Sequence, residues 1–232
     1  MEIIQSFNCP HCLSTKVVKN GIKKNGRQNY RCGSCKKQFQ HEYLYLGSKI
    51  DNKRMTINML LNGNGIRDIA RLLHISTGSI IRTLLSFSAI QLQPSQRYYH
   101  QVQVDELYSF VQSKRKKVWI LYAYCAQTDE ILAVTAGKRN KKTLKDLLKR
   151  LQNLTINFWC TDGWRVFKEV FHPQEHLIGK RFTKAIEGVN TSLRNSCKRL
   201  HRRTTAFSKK VIHHWIALKL VMKYRNLRTS YI

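Results

Sequence analysis

Asp162 directly follows an apolar, aromatic stretch, in the run FWCTDGWRVF at residues 158–167. The chain holds only 13 Asp and Glu against 42 Lys and Arg, so an acid at the end of an apolar strand needs an explanation. An Asp-Gly pair commonly ends a strand at a turn, which is the simplest interpretation. The other interpretation is a site for a hard divalent cation such as magnesium, which requires further carboxylates from elsewhere in the chain.

The segment after residue 97 contains nine acids in all. Five are better explained by turns, a Lys-rich helix or a polar loop: Asp129, Glu130, Asp146, Glu169 and Glu175. The remaining partners for Asp162 are Asp105 or Glu106 in a predicted strand, and Glu187 on a predicted helix. Strand alternation does not choose between Asp105 and Glu106, since either face of a covered sheet could hold a site. Each acid alone is most simply a surface residue, whereas three together would repel one another unless two magnesium ions neutralised them and held a phosphodiester.

Four of the seven cysteines form two knuckles, Cys9-Pro-His-Cys12 and Cys32-Gly-Ser-Cys35, with 19 residues between them. This spacing is typical of a zinc ribbon, in which each knuckle supplies two thiolates to a tetrahedral ion. Four thiolates leave no open position on the ion, so the zinc is predicted to be structural. The alternatives are two disulfides, which a reducing compartment disfavours, or four free thiols.

The net charge of +29 is extreme for 232 residues and points to a polyanionic partner. Nucleic acid is the first candidate, because basic surfaces bind it by releasing its condensed counterions. An anionic membrane is the second, but no amphipathic basic helix or lipid anchor is evident. The longest apolar run, at residues 118–126, is too short to cross a bilayer, and the start lacks a secretion signal. We therefore expect a cytoplasmic protein with no membrane partner.

Composition and periodicity divide the chain into a ribbon at 1–46, a helical segment at 47–93 and a third segment at 98–232. The helical segment is predicted to form a helix-turn-helix, because Ala70, Ile75 and Ile80 stand where its two helices must pack closely. The alternative is a helical hairpin used only for packing. The exposed face of the second helix would offer these residues to the DNA major groove: Ser76, Thr77, Ser79, Arg82 and Thr83.

The third segment alternates strands and helices. Strands are predicted near 99–111, 117–126, 130–137, 155–161 and 176–179, with helices near 141–153 and 164–171 and a long helical region from about 183. Three consecutive strands followed by strand-helix alternation predict a mixed α/β fold, in which helices cover a mixed sheet.

The segments VDELYSFVQSKRKKVWILYAY, CTDGW and GKRFTKAIEGVNTSLRN resemble those of transposases of the bacterial insertion sequence one family. The order of ribbon, helix-turn-helix and third segment is also similar, so the resemblance covers nearly the whole chain. Its most specific marks are TDGW and the 24 residues that separate Asp162 from Glu187. The resemblance implies a ribonuclease-H-like domain with an Asp-Asp-Glu triad, namely Asp105, Asp162 and Glu187, and it decides for Asp105 over Glu106.

The resemblance further implies a DNA transposase of the prokaryotic nucleoid that binds terminal inverted repeats of double-stranded DNA. Two Mg²⁺ or Mn²⁺ ions at the triad would support cleavage that leaves a 3′ hydroxyl, followed by attack of this hydroxyl on target DNA. Paired DNA ends imply a homodimer or higher oligomer. Residues predicted to line the DNA path are Arg181, Lys184, Arg194, Lys198, Arg199, Arg202 and Arg203, and Asn190, one turn beyond Glu187, is added to them. The alternatives are a DNA-binding repressor without catalysis, and a structure-specific nuclease on the same fold, which would cut without joining.

Overall fold

The computed structural model describes residues 8–41, 43–201, 203 and 206–227. The chain forms two compact units, Met1–Ile50 and Asp51–Ile232. Within the described residues, no helix has both the length and the apolar character that a membrane span requires.

The first unit contains a small antiparallel sheet of three strands, β1 (Val17–Ile22), β2 (Gln28–Cys32) and β3 (Gln38–Gln40), in that order. Its described buried hydrophobic cluster consists of Cys9, Cys32 and Phe39 alone. A core of this size buries too little apolar surface to hold a fold, so the unit needs a further source of stability.

Three helices follow, α1 (Ile50–Leu61), α2 (Ile66–Leu73) and α3 (Thr77–Leu85). The run KRMTINMLL at residues 53–61 predicts the first of these helices, which in the structure begins three residues earlier, at Ile50. The turn between α2 and α3 is made by His74, whose φ of 51° is left-handed, where a glycine would be less strained. Ser76 then caps α3 by accepting the backbone N–H of Ser79 at 3.2 Å.

A five-stranded sheet has the strands β4 (Tyr98–Phe110), β5 (Lys117–Cys125), β6 (Glu130–Gly137), β7 (Thr155–Thr161) and β8 (His176–Ile178). The strand order is β6-β5-β4-β7-β8. The pairs β4–β5 and β5–β6 are antiparallel, whereas β4–β7 and β7–β8 are parallel. The prediction of a mixed α/β sheet is confirmed, and the central strand β4 has neighbours on both sides.

Helices cover both faces of this sheet: α4 (Lys141–Arg150), α5 (Arg165–Val170), α6 (Lys180–Ser196) and α7 (Val211–Leu227). One hydrophobic cluster joins one face to α4 and α5, and a second joins the other face to α6 and α7. The long helical region predicted from about residue 183 is therefore two helices. Gly179 has a φ of 139° immediately before α6, a conformation that favours glycine.

Helix α7 also contributes to the core of the helical segment. Its Ile216, Ala217 and Leu220 form a cluster with buried residues of α1, α2 and α3, such as Ile80 and Leu84. The same helix contacts the sheet through Leu218 and neighbouring residues. The helical segment and the sheet are thus joined through α7 as well as through the chain between them.

Candidate active site and metal centres

The parallel pairing of β4 and β7 places two acids at the same level of the sheet. Gln103 pairs with Cys160 at the end of their shared register, and Asp105 and Asp162 each stand two residues further on. Strand β7 ends at Thr161, so beyond it the edge of β4 is open. The two carboxylates are brought together at the carboxyl end of β7, where parallel sheets commonly place their ligands.

Asp105 is held in place by hydrogen bonds to both of its oxygens. Oδ1 accepts the backbone N–H of Glu106 at 2.7 Å, and Oδ2 accepts Nδ2 of Asn190 at 2.6 Å. The amide oxygen of Asn190 accepts the hydroxyl of Tyr122 at 2.6 Å. Burial raises the pKa of Asp105, and the negative charges of Asp162 and Glu187 raise it further. The carboxylate is therefore rigid and partly desolvated, which suits a group that binds a cation.

Glu106 is the third member of this acidic cluster. One carboxylate oxygen from each of Asp105, Glu106 and Asp162 lies within 4.8 Å of the other two, a grouping that could hold a metal ion. Oε1 of Glu106 accepts Nε of Arg139 at 2.7 Å and also contacts its Nη2. Burial raises the pKa of Glu106 to about 6, although Arg139 opposes this rise.

Glu187 lies on the exposed side of α6, and among the described acids it stands outside the close group of three. The preceding residue, Ile186, ties this part of α6 to β4, because its N–H is accepted by Gln103 Oε1 at 2.8 Å. Glu187 is thus near enough for its charge to raise the pKa of Asp105, but it is not part of the group whose carboxylate oxygens lie within 4.8 Å of one another.

The turn after β7 depends on Asp162 more than on Gly163. Asp162 Oδ1 accepts the backbone N–H of Trp164 at 2.9 Å, which closes the turn through the side chain. Gly163 does not have a left-handed φ, and an added Cβ would meet no described atom within 4 Å. Trp164 packs edge-on against Phe167 and lies beneath the guanidinium of Arg139, 4.7 Å from its ring centroid. The turn therefore relies on the side chain of Asp162 and the packing of Trp164, and it does not require glycine at position 163.

The four predicted ribbon cysteines converge, with one sulfur from each within 4.8 Å of the others. Sγ of Cys9 lies 3.6 Å from that of Cys35, and Sγ of Cys12 lies 3.5 Å from that of Cys32. Tetrahedral zinc with Zn–S bonds of about 2.3 Å requires S···S distances of about 3.8 Å, so the donors fit zinc. The Cys35 backbone N–H lowers the pKa of Cys32 to about 6, which favours a thiolate. This cluster could therefore hold zinc.

Helix α3 presents some of its predicted DNA-facing residues to solvent. Ser76, Thr77 and Arg82 are exposed, and Thr83 is half-buried. Ser79 differs from the expectation of exposure, since it is only 5% exposed beneath the first turn of α3. Its Oγ instead accepts Nη2 of Arg82 at 2.9 Å, so it orients that guanidinium.

The predicted basic path is only partly exposed. Arg181, Lys184, Lys198 and Arg203 are exposed, and Arg194 is half-buried. Arg199 instead donates to Ser208 Oγ at 2.8 Å and to the carbonyl of His213 at 3.2 Å, and burial lowers its pKa. Arg202 lies outside the described residues.

Asn190 is 7% exposed, with both ends of its amide engaged within the fold. Sequence reasoning placed it on the DNA path and did not foresee its bond to Asp105. It also passed over Arg139, which stands over the rings of Trp119 and Trp164 and pairs with Glu106. Glu106 was one of two alternatives in its strand, and the family resemblance set it aside in favour of Asp105.

A family model described as IS1 transposase matches residues 101–229, which is more than half of the chain. The matched range contains all three residues of the acidic cluster and helix α6. The chain belongs to the IS1 transposase family.

Curated relatives agree with this assignment. The chain is 39% identical over 112 residues to the insertion element iso-IS1n protein InsB of Shigella dysenteriae, covering 48% of this chain and 86% of that protein. It is 32% identical over 135 residues to the insertion element IS1 9 protein InsB of Escherichia coli strain K12, covering 56% and 81% respectively. Among solved structures, the chain aligns with a chain from the simian T-cell lymphotropic virus intasome in complex with PP2A regulatory subunit B56 gamma. The TM-score is 0.37 and the identity 13%, over 74% of this chain and 65% of that one. This similarity is too weak to bear on the fold.

Proposed function

We propose that this protein is a DNA transposase that binds the terminal inverted repeats of an insertion sequence and catalyses metal-dependent cleavage and strand transfer. The observation that carries the proposal is the convergence of Asp105 and Asp162 at one level of β4 and β7, in a chain with a net charge of +29. An acidic cluster in so basic a protein attracts cations, while the surrounding surface attracts DNA. We infer that residues 98–232 form a ribonuclease-H-like catalytic domain.

The catalytic residues in this proposal are Asp105, Asp162 and Glu187, which would hold two Mg²⁺ or Mn²⁺ ions. When bound, such ions stabilise the attacking and leaving oxygens of a phosphodiester displacement. Asn190 would keep Asp105 oriented toward the ions, given its 2.6 Å bond to Oδ2. Glu187 would complete the triad when DNA is bound, since in the free protein it lies outside the close acidic group.

Two displacements on phosphorus account for the reaction. In the first, a water oxygen bonds to phosphorus and the bond to the 3′ oxygen of the element's end breaks, leaving a 3′ hydroxyl and a 5′ phosphate on the flank. In the second, this hydroxyl bonds to a phosphorus of target DNA and a target 3′ oxygen leaves. The attacking oxygen comes from water in the first step and from the DNA itself in the second, so the protein needs no covalent bond to DNA.

DNA recognition is proposed for the ribbon at 1–46 and for a helix-turn-helix within 47–93. The ribbon cysteines would hold a structural Zn²⁺, in keeping with their sulfur spacing. In α3, Arg82 and the exposed Thr77 would face the major groove, and Ser79 would orient Arg82. The exposed cations Arg181, Lys184 and Lys198 would bind phosphates beside the active site. Paired ends would require at least a homodimer on DNA.

The test is cleavage and joining of labelled DNA that carries the ends flanking this gene, with Mg²⁺ or Mn²⁺. We expect the unaltered protein to nick and join, and Asp162→Asn to lose both activities while it still binds the ends. Asp146→Asn is the matched control, because Asp146 is an exposed acid on α4 outside the acidic cluster. Specific binding without cutting in either metal would contradict the proposal in favour of a repressor, and cutting without joining would favour a nuclease.

A further inference from the structure

The carboxylate of Glu106 is buried, and its ion pair with Arg139 leaves one of its two oxygens without a partner among the described residues. Its side chain is only 6% exposed, yet Oε2 is buried without a hydrogen-bond partner among the described residues. A buried carboxylate oxygen left unpaired costs free energy, so native folds usually give it a donor or a cation. Arg139 does not supply this, since both of its contacts are with Oε1.

The surroundings of Glu106 favour a cation as the missing partner. Asp105 and Asp162 each place an oxygen within 4.8 Å of a Glu106 oxygen, and their negative charges repel one another. Two oxygens bound to one ion at about 2.1 to 2.4 Å stand at most about 4.8 Å apart, so all three can bind one ion. Asp105 and Glu106 are consecutive on β4, beyond the last pair that β4 forms with β7, Gln103 with Cys160.

Arg139 gives Glu106 a fixed direction. Its guanidinium is stacked over Trp119 at 5.2 Å and over Trp164 at 4.7 Å from the ring centroids. The planar group thus holds Oε1 while Oε2 stays unpaired. Metal sites commonly use such outer partners to orient a ligand.

We propose that Glu106 is a metal ligand, and that in the absence of DNA the first divalent ion is held by Asp105, Asp162 and Glu106, without Glu187. The inference rests on the proposed function, because the ion is that of the same site. It adds a fourth carboxylate to the three that the Asp-Asp-Glu pattern names. Glu187, exposed on α6, becomes a ligand only when DNA and the second ion bind.

The test is Mn²⁺ binding to the full zinc-loaded chain without DNA, measured by calorimetry and by the electron paramagnetic resonance of free Mn²⁺. Glu106→Gln keeps an acceptor for Arg139 but removes the charge. Glu106→Asp keeps the charge but shortens the side chain by one methylene, which moves the carboxylate away from the other two. Both are expected to weaken Mn²⁺ binding by about tenfold or more, since loss of even an outer partner commonly costs 10- to 100-fold. Glu187→Gln is expected to bind within about twofold of the unaltered protein.

Glu169→Gln is the matched control, because Glu169 also pairs with an arginine, Arg165, at 3.0 Å but lies outside the acidic cluster. Thermal unfolding of each variant without Mn²⁺ checks that the fold is retained. If Glu106→Gln does not fold, the Mn²⁺ affinity of Glu106→Asp is the test of the proposal. Unchanged Mn²⁺ affinity in the folded Glu106 variants would overturn the proposal, as would an equal loss in Glu187→Gln. Because no DNA is present, this result is independent of whether Asp162→Asn abolishes cleavage.

Discussion

Asn190 lies beside the acidic cluster, and its contacts favour a positioning role over the DNA contact that the sequence predicts. Its amide links the hydroxyl of Tyr122 to Oδ2 of Asp105, and its exposure is only 7%. A buried side chain with both ends engaged is poorly placed to bind DNA. Its position instead fits the orientation of Asp105, the candidate metal ligand, and such outer partners commonly affect metal affinity about 10- to 100-fold.

We predict that Asn190→Ala lowers the cleavage rate of bound DNA about 10- to 100-fold while DNA affinity stays within about twofold. Single-turnover cleavage of saturated complexes, together with a gel-shift titration, separates the two effects. The control is Asn157→Ala, which removes a comparable bond from Asn157 Nδ2 to the Tyr98 hydroxyl at 2.7 Å. A loss of DNA affinity with unchanged cleavage of the bound complex would instead make Asn190 a DNA contact.

His214 is a second buried polar residue, on α7, and its role concerns stability. Neither ring nitrogen has a hydrogen-bond partner among the described residues, and burial lowers its pKa from 6.5 to about 4. The unfolded chain therefore binds a proton near pH 6.5 that the folded protein does not accept until about pH 4. The free energy of unfolding therefore decreases as the pH falls from about 6.5 to about 4, by about 3 kcal/mol in total.

We predict that His214→Leu unfolds at a urea concentration equal to or higher than that of the unaltered protein at pH 7.5. The difference between the two urea midpoints is expected to grow as the pH falls from 6.5 to 4. Urea titrations of both proteins, followed by tryptophan fluorescence, measure the difference at each pH. His100→Leu, at an exposed histidine, is the control. A difference that does not change with pH would show that His214 accepts its proton without penalty.

At the scale of elements, local patterns predicted most of the fold. The five strands of the larger sheet were predictable because apolar β-branched and aromatic runs are bounded by turns. The first helix was placed too late, since Ile50 and Asp51 follow a short 3₁₀ turn with no capping signal. The long region after 183 was not resolved into two helices, because the intervening segment has the same basic and apolar composition.

The acidic site was only partly predictable, because its details depend on contacts between distant parts of the chain. The spacing and type of Asp105 and Asp162 indicated the site once a family resemblance chose between neighbours. No local pattern could show that Arg139 would stack on two tryptophans and leave one oxygen of Glu106 unpaired. Likewise, nothing near Arg199 in sequence predicts its bond to the carbonyl of His213.

We expect the fold of the first unit to depend on a bound ion, since its described buried cluster is Cys9, Cys32 and Phe39. We predict that Cys32→Ser reduces bound zinc from one ion per chain to a small fraction and unfolds residues 8–41. Zinc content by mass spectrometry and amide hydrogen exchange measure the two effects. Cys125→Ala, at a buried cysteine of β5, should retain zinc. Full protection of the ribbon without zinc would contradict the prediction.

At the scale of the whole second unit, α7 shares one hydrophobic cluster with α1–α3 and another with the sheet. If the helical segment binds DNA as proposed, inserting either 5 or 10 base pairs between its binding sequence and the cleaved bond is expected to abolish cleavage. A flexible tether would tolerate 10 base pairs better than 5, because about 10.5 base pairs restore the same face of the duplex. End-labelled substrates measure the cut, and base substitutions that keep the length serve as the control.

The shared helix has a consequence for the genetic element as well. If α7 holds the helical segment and the sheet at a fixed distance, then the folded chain sets the number of base pairs between the recognised bases and the cut bond. An insertion or deletion between the recognised bases and the cut bond would then prevent cleavage of that transposon end, even with every recognised base intact. Copies would then be silenced by a change of length alone, and selection on active copies would preserve the interval's length more strictly than its composition.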